Sequence, residues 1–362
     1  MARVDAFLDL LVKQNGSDLH LVSGNPPRLR LYGEIHPVKY RELTADETQN
    51  LVYEIMSAKQ KALFEEEYGL DFAYEIPSGH RFRVNVYRHL EGVGAVFRLI
   101  PVNVQTLDEL GLPKVIKSLT RQTKGLILVT GPTGSGKSTT LAAMVHHINN
   151  TRSGHIVTIE DPIEHVHSTQ KCLVSQRELG THTNSFANAL HNALREDPNV
   201  IMLGEMRDLE TISLAVTAAE MGILVLATLH TNSASTAVDR IINAFPPGEG
   251  PYIRTMLSTS LCGIISQKLL TRADRKGRVA AIEVLLNTSA TANIIREGRI
   301  DQLENVLQSG TLQGMQTLDT CLRRLLDQKL ISGNEAYNHA RNKSTFDRYR
   351  DYSEMPKILE EA

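Results

Sequence analysis

Cysteine is scarce in this chain. Three cysteines occur among 362 residues, namely Cys172, Cys262 and Cys321, and none belongs to a C-x-x-C pair. Three widely separated cysteines without such a pair argue against both a disulfide framework and a structural zinc site. The sequence therefore favours a protein of the reducing cytoplasm.

Blocks of positive charge are also missing. The formal net charge is −2, and Lys and Arg are spread along the chain. Proteins that track nucleic acid usually carry a basic stripe. We therefore expect no nucleic-acid partner, and a nucleic-acid motor is disfavoured.

The sequence has no uninterrupted apolar run long enough to span a bilayer. Near the N-terminus, Val4, Phe7 and Leu8 have helical spacing, but Asp5 and Asp9 interrupt any signal-peptide core. We expect no direct membrane insertion, so that any role at a membrane would pass through a partner.

The length of the chain predicts at least two domains. Residues 1–100 combine hairpin-like strands with a helical segment, which is typical of a small α+β domain. Residues 101–118 mix Pro, Gly and a short helix and are interpreted as a linker.

A different sequence pattern begins after the linker. In residues 119–271, the apolar runs LILVT, IVTI, VIML and ILVLAT alternate with helical stretches around 137–149, 184–195 and 208–221. This alternation predicts a parallel sheet covered on both faces, hence an α/β fold. Residues 272–345 are mostly helical with a possible strand at VAAIEVLL, and the charged residues 346–362 are expected to form a loosely held tail.

The segment GPTGSGKSTT fits the phosphate-loop pattern G-x-x-x-x-G-K-[ST], because it follows an apolar strand and precedes a helix. In such a loop the backbone N–H groups face phosphate oxygens. Lys137 is expected to reach the β- and γ-phosphates, and Ser138 to bind Mg²⁺. The sequence therefore predicts ATP and Mg²⁺ as ligands, held by Gly131, Pro132, Thr133, Gly134, Ser135, Gly136, Lys137, Ser138 and Thr139.

Hydrolysis also requires an acidic group near the metal and the attacking water. Glu205 follows the apolar run VIML, and Gly204 stands where an aspartate is usual. We expect Glu205 to act as the catalytic carboxylate and to reach the metal through a water. The competing interpretation is that Glu205 only supports the helix that starts near Asp208.

Further polar residues follow two other apolar runs. The segment EDPIE supplies Glu160, Asp161 and Glu164, and ILVLATLH ends with Thr228 and His230. Loops that follow parallel strands open on one edge of the sheet, so these side chains are predicted to lie beside the phosphate loop. Glu164 is the second candidate for the general base, and His230 is predicted to contact the γ-phosphate or the water.

Arginines alternate with apolar residues in RFRVNVYR. Phe82, Val84 and Val86 share one face of this strand, while Arg81 and Arg83 share the other. Arg98 lies on the next strand-like run. These arginines are candidate arginine fingers for a neighbouring subunit, although the pattern taken alone favours a solvated strand face.

Together, GPTGSGKST, EDPIE, VIMLGEMRD and TLHTNSA resemble the Walker A, Asp box, Walker B and His box of the type II/IV secretion ATPase superfamily. Within it, the chain resembles the PilT family of type IV pilus retraction ATPases, from SDLHL through PPRLRLYGEIHPV and RFRVNVYR to GMQTLD. The accessory PilU paralogue shares these boxes.

This resemblance implies a PAS-like N-terminal domain, a RecA-like P-loop NTPase domain and a helical C-terminal region, assembled as a homohexamer. It implies ATP binding between the two domains, with arginines of the N-terminal domain near the phosphates. It also implies pilus retraction and twitching motility, a PilC-like inner-membrane platform protein as partner, and a cytoplasmic location beside that membrane. A paralogous retraction ATPase is a possible further partner. The segment NIIREGRIDQ resembles the AIRAG box loosely.

Two rival functions are open at this point. An accessory or non-hydrolysing ring subunit would bind ATP without turnover. A small-molecule kinase would share the phosphate loop but would need an acceptor and a lid. ATP consumption without an added acceptor excludes an obligatory kinase.

Overall fold

The computed structural model describes residues 2–31, 33–100, 104–274 and 277–351. Contacts within the chain divide it into two units. The first contains the described residues before Val104 together with the segment 162–166, and the second contains 104–161 and the described residues from 167 onward. Each unit has its own buried core.

The first unit is built on an antiparallel sheet with the strand order β3-β2-β1-β6-β5-β4. Three helices accompany the sheet, and its buried face carries an apolar core that includes Phe64 and Phe97. The strands are β1 (Asp18–Val22), β2 (Arg28–Leu31), β3 (Glu34–Pro37), β4 (Gly69–Glu75), β5 (Arg81–His89) and β6 (Gly92–Ile100), and the helices are α1 (Asp5–Lys13), α2 (Ala45–Tyr53) and α3 (Ala58–Glu67).

The alternation in β5 predicts this packing correctly, because Phe82, Val84 and Val86 are all fully buried. The segment predicted as one helix is divided into α2 and α3. Thr44 and Ser57 each begin one of them with a capping box, which satisfies N–H groups that a helix start leaves without partners. Strand β4 was not predicted.

The second unit contains a mixed sheet with the strand order β13-β12-β7-β11-β10-β8-β9. All its pairings are parallel except that of β12 with β13, which is antiparallel. The strands are β7 (Gly125–Thr130), β8 (Gly154–Glu160), β9 (Cys172–Glu178), β10 (Val200–Leu203), β11 (Leu224–Leu229), β12 (Leu261–Thr271) and β13 (Arg278–Leu286).

Helices cover both faces of this sheet. Successive residues of β7 alternate between two cores: Leu126 and Leu128 belong to one, and Ile127 and Val129 to the other. The predicted α/β class is therefore confirmed. The helices are α4 (Lys114–Leu119), α5 (Lys137–Thr151), α6 (Phe186–Ala193), α7 (Leu209–Glu220), α8 (Ala234–Ile242), α9 (Gly250–Ser260), α10 (Ser289–Glu297), α11 (Leu303–Ser309), α12 (Leu318–Asp327) and α13 (Gly333–His339).

The sequence predicted five strands of this sheet: β7, β8, β10, β11 and, at VAAIEVLL, β13. It missed β9 and β12. Strand β12 carries a polar Ser266-Gln267-Lys268 step that interrupts its apolar run, and β9 is half-buried with mixed composition. The sheet thus continues past Thr271 into β13.

The C-terminal residues of the second unit are mostly helical, as predicted. The expectation of a loosely held tail from residue 346 is wrong for its first residue, because Phe346 is fully buried among Leu318, Leu322 and Leu325 of α12. Residues 352–362 of the predicted tail, and 101–103 of the predicted linker, lie outside the described residues.

Candidate active site

The phosphate loop connects β7 to α5. Gly131, Gly134 and Gly136 have φ angles of 150°, 77° and 86°, a region that residues with a Cβ rarely adopt. Gly136 is the N-cap of α5, and Lys137 is its first residue. The loop therefore turns its backbone N–H groups and the positive end of α5 toward one place, as an anion site requires.

Lys137 lies folded over this loop. Its side chain is buried, and Nζ donates hydrogen bonds to the carbonyl oxygens of Gly131 (2.9 Å) and Pro132 (3.0 Å). The ammonium group is thus placed at the rim of the anion site. Ser138 is exposed at the next position, so its hydroxyl is accessible to a metal ion. Of the other predicted loop residues, the exposed ones are Pro132, Thr133 and Gly134, and Thr139 is half-buried.

Gln267 of β12 fixes the loop, and sequence reasoning missed it. Its buried amide donates from Nε2 to the Ser135 carbonyl (2.6 Å), and its Oε1 accepts from the Thr140 hydroxyl (2.9 Å). A Cβ at Gly131 would lie 2.3 Å from the Gln267 carbonyl oxygen, which explains why glycine is needed there. The available signal was a glutamine in the polar step that interrupts the apolar run of β12.

Glu205 follows β10, and its side chain is 18% exposed. Its Oε2 lies 2.8 Å from Nη2 of Arg207, and its Oε1 lies 3.0 Å from Nε2 of His230. Burial would raise the pKa of the Glu205 carboxyl, but the hydrogen bond from Arg207 and the charges of His230 and Arg207 together hold that pKa below its usual value. The carboxylate is therefore ionised at neutral pH. Arg207 was not predicted as a site residue.

Gly204 packs directly on the backbone of β8. Its N–H donates to the Ile159 carbonyl (2.8 Å), and a Cβ would lie 3.3 Å from Cα of Glu160. An aspartate at this position would crowd that backbone. The missing acidic residue noted in the sequence thus follows from the close approach of β10 to β8.

His230 and Thr228 have different roles at the end of β11. The His230 side chain is 41% exposed and contacts Glu205, as described above. Thr228 was also a candidate for phosphate or water contact, but it is buried and its hydroxyl donates to the Gly204 carbonyl (2.5 Å). Thr228 therefore positions the segment that carries Glu205.

The three candidate acids of EDPIE are placed differently. Glu160 is buried, and its Oε1 accepts from the Thr158 hydroxyl (2.6 Å) and the Gln176 amide (3.2 Å), which is a structural arrangement. Asp161 is exposed, and its charge acts on Arg207. Glu164 lies in the segment 162–166, which is grouped with the first unit.

The candidate arginine fingers lie on the sheet of the first unit. Arg81 and Arg83 share one face of β5, and Arg83 is directly opposite Arg98 of β6. Arg98 is in turn opposite Asp18, a buried residue whose Oδ1 lies 2.8 Å from Nε of Arg98. The Arg98 side chain is 70% exposed even so.

Asp18 also pairs with Arg30, at 3.5 Å. Burial would raise the pKa of the Asp18 carboxyl, but hydrogen bonds from Arg98 and Ser17 bring that pKa below its usual value. One buried carboxylate therefore holds two arginines in a row across the sheet, and this row also includes Arg83.

The oxygen atoms available near the phosphate loop suit a Mg²⁺ ion that arrives bound to a nucleotide. The Ser138 hydroxyl is accessible, and the Glu205 carboxylate is ionised; both are oxygen donors, which Mg²⁺ prefers. The described residues contain no ready-made cluster of three His, Cys, Asp or Glu side chains for a metal. The hydroxyl of Ser135 is buried with no hydrogen-bond partner among those residues and is available to a ligand.

A family model described as "Type II/IV secretion system protein" matches residues 2–348. The chain belongs to this family. It is 49% identical to the type IV pilus retraction ATPase PilT of Pseudomonas aeruginosa over 343 residues, which is 95% of this chain and 99% of that protein. It is 43% identical to PilU of the same organism over 336 residues, 93% of this chain and 88% of that protein.

Solved structures of the family agree with this membership. The crystal structure of the pilus retraction motor PilT with bound ADP has a TM-score of 0.88 and 42% identity, covering 96% of this chain and 99% of that one. The ATPase DotB of Legionella pneumophila has a TM-score of 0.76 and 29% identity, covering 92% and 94%. The prediction of a PilT-type ATPase within the secretion ATPase superfamily is confirmed.

None of the helices in the described ranges combines the length and apolar character that crossing a membrane requires.

Proposed function

We propose that the protein hydrolyses ATP, with Mg²⁺, to drive the retraction of type IV pili. The observation that carries this proposal is the order of three neighbouring strands. Strand β11 lies between β7 and β10, so His230 follows the strand between the phosphate loop and Glu205. Parallel strands present their carboxyl ends at one edge, where α/β enzymes bind ligands.

Each residue then has a defined task. Lys137 would exchange its two loop carbonyls for phosphate oxygens when ATP binds. Ser138 would hold Mg²⁺ through its hydroxyl, and the metal would neutralise phosphate charge. Glu205 orients the attacking water. Its lowered pKa makes it a weak base, so that positioning the water is its larger contribution. His230 holds one carboxylate oxygen and is placed to respond to the γ-phosphate.

Glu205 is preferred to Glu164 as the catalytic carboxylate because of its contact with His230. Glu164 is the alternative general base. The single variants Glu205→Gln and Glu164→Gln separate the two, since both substitutions remove a charge and keep the shape of the side chain.

Assembly as a homohexamer would bring the arginines of the first unit to a site that needs positive charge. Arg81, Arg83 and Arg98 are candidates for this role, and in trans such a residue accelerates phosphoryl transfer. Arg98 is the best prepared of them, since Asp18 orients it while most of its side chain is exposed. The bound ADP of the similar PilT structure supports nucleotide as the ligand.

The proposal includes an inner-membrane platform protein as the recipient of the motion and a cytoplasmic site of action beside it. The motion would follow from contacts that differ between the ATP and ADP states. A second candidate function, an accessory retraction subunit, is supported by the similarity to PilU.

ATP turnover by the purified protein tests the proposal, with oligomer mass measured on the same samples. We expect a hydrolysing hexamer, loss of turnover in Glu205→Gln with retained ATP binding, and loss of turnover in Lys137→Ala. A ring that binds ATP without hydrolysing it would instead favour the accessory function. Normal turnover in Lys137→Ala would refute the assignment of the site.

A further inference from the structure

A buried carboxylate lies behind the His230 loop. Glu283, in the middle of β13, is 1% exposed. Its Oε1 accepts a hydrogen bond from the backbone N–H of Ala234 (2.9 Å). Ala234 is the first residue of α8, and four positions separate it from His230. Glu283 therefore anchors the C-terminal side of the loop that begins with His230.

This anchor supplements the capping of α8. Ser233 caps the helix in a capping box with Thr236, which satisfies N–H groups of the first turn. The N–H of Ala234, the first residue of the helix, has the Glu283 carboxylate as its acceptor. A carboxylate is a strong acceptor for a helix N-terminus, because its charge opposes the helix dipole. The start of α8 is thus held by the capping box and by the Glu283 carboxylate.

Arg341 supplies the charge that a buried carboxylate needs. Its Nη2 lies 2.7 Å from Oε2 of Glu283, and its Nη1 lies 2.7 Å from Oε2 of Glu304 on α11. The backbone of this segment is fixed too, because Asp319 of α12 accepts hydrogen bonds from the N–H groups of Arg341 (2.8 Å) and Asn342 (2.9 Å). The guanidinium therefore connects β13 to the C-terminal helices.

The charges around Glu283 make Arg341 the main group that stabilises its buried carboxylate. Burial raises the pKa of its carboxyl, and Glu304 adds to that effect. Lys268 of β12 also faces this cluster, and burial together with the nearby Arg341 and Lys343 lowers the pKa of its amine. Removing Arg341 would leave Glu283 buried without its close cationic partner, a state that is strongly unfavourable.

We propose that Arg341 is a positioning residue for ATP hydrolysis, which acts through Glu283 on the start of α8 and so on the placement of His230 beside Glu205. The inference rests on the role of His230 in the proposed function. It assigns to the C-terminal helical region a direct influence on the chemistry, through residues that do not touch the nucleotide.

The test compares Arg341→Gln with wild type in the full-length protein. Turnover, KM for ATP and binding of ATP are measured, together with the thermal midpoint and oligomer mass. We expect kcat to fall about tenfold while ATP binding stays within about twofold, because the phosphate loop is untouched. Arg341→Lys should restore part of kcat, since an amine can reach only one of the two carboxylates.

Two further variants keep the test decisive if Arg341→Gln folds poorly. Glu304→Gln removes the outer partner only and should lower kcat by a smaller factor. The double variant Glu283→Gln with Arg341→Gln removes the buried charge and keeps an acceptor for the Ala234 N–H, so it should be more active than Arg341→Gln alone. Arg323→Gln is the matched control, because Arg323 pairs with the exposed Asp327 on α12.

A lowered thermal midpoint with unchanged kcat in Arg341→Gln would reduce Arg341 to a structural role and overturn the inference. Equal losses of ATP binding and kcat would overturn it as well. Failure of the proposed function looks different: wild type and Lys137→Ala would then have the same turnover.

Discussion

Nε2 of His230 lies 3.0 Å from Oε1 of Glu205, so two residues that follow the adjacent strands β11 and β10 share one hydrogen-bonding contact. Glu205 cannot rotate toward a water without changing this contact. The pair is therefore the natural place for the site to register whether a γ-phosphate is present. We expect His230→Ala to lower kcat by about 10- to 100-fold, with little change in ATP binding, as measured by turnover and by equilibrium binding of a labelled nucleotide.

Arg207 affects how kcat falls with decreasing pH. Its hydrogen bond and charge help to keep the pKa of Glu205 below the usual value, and the ionised carboxylate accepts a hydrogen bond from the water more strongly than the protonated acid does. Replacing Arg207 with Ala raises that pKa, so the fall of kcat on acidification should begin at a higher pH. Turnover measured across the acidic range tests this, with Arg121→Ala as an exposed control. An unchanged acid limb would mean that another group titrates there.

Gln267 determines the shape of the phosphate loop. Gln267→Ala removes both its bond to Ser135 and its bond to Thr140, and we expect ATP binding to weaken by about tenfold, since one or two buried hydrogen bonds are lost. Gln267→Glu keeps the acceptor for Thr140 but places a carboxylate against the Ser135 carbonyl, so it should be no better. Nucleotide titrations give the affinity. The exposed Gln122→Ala serves as control, and wild-type affinity in both Gln267 variants would contradict the assignment.

Gly204 should not tolerate a side chain. In Gly204→Ala the new Cβ lies 3.3 Å from Cα of Glu160, so β8 or β10 must shift. We expect a loss of about 1–3 kcal/mol in the free energy of unfolding and a lower kcat, because Glu205 is the next residue. Chemical denaturation and turnover measure the two effects. Gly69→Ala is the matched control, since its Cβ would meet no atom closer than 3.9 Å.

Asp18 makes the first unit sensitive to acid. Its pKa in the folded protein is below the ordinary 3.8, so its contribution to stability is present above that value and is lost as pH falls through the folded pKa. Asp18→Asn should therefore lower the thermal midpoint at neutral pH, and the difference from wild type should shrink in strong acid. Asp46→Asn, an exposed change on α2, is the control. A difference that is constant with pH would show that the charge of Asp18 is not what stabilises the sheet.

The phosphate loop, Glu205 and His230 could be predicted as neighbours from the sequence because each follows a run of apolar residues that is typical of a buried strand. Their proximity then follows from the rule that parallel strands present their ends at one edge. The same argument overestimated Glu160 and Thr228. Glu160 ends β8 and Thr228 is the next-to-last residue of β11, but their side chains form hydrogen bonds with Gln176 and with the Gly204 carbonyl. These hydrogen bonds depend on packing that a linear pattern does not contain.

Gln267 and Glu283 could not be identified from the sequence either, because their roles also depend on packing. Gln267 belongs to the polar Ser266-Gln267-Lys268 step of β12, and Glu283 is a polar residue within the mostly apolar β13. Both become informative only when the strand order places β12 beside β7, which leads into the phosphate loop, and β13 beside β12. Strands β4 and β9 were missed because their burial is partial and their composition mixed. Local propensity decides little in such strands, since pairing with a neighbour determines them.

The burial of Phe346 constrains how this protein can be engineered. Its ring fills a core formed with α12, and the following residues carry contacts as well, since the Asn334 amide donates to the Asp351 carbonyl at 2.9 Å. A truncation before Phe346 would open a cavity the size of an aromatic ring, which commonly costs about 3–5 kcal/mol. A reporter fused at the C-terminus should therefore follow an intact segment through Asp351. If a truncation that removes Phe346 lowers motor output, the first explanation is unfolding of the helical region, ahead of the loss of a binding site.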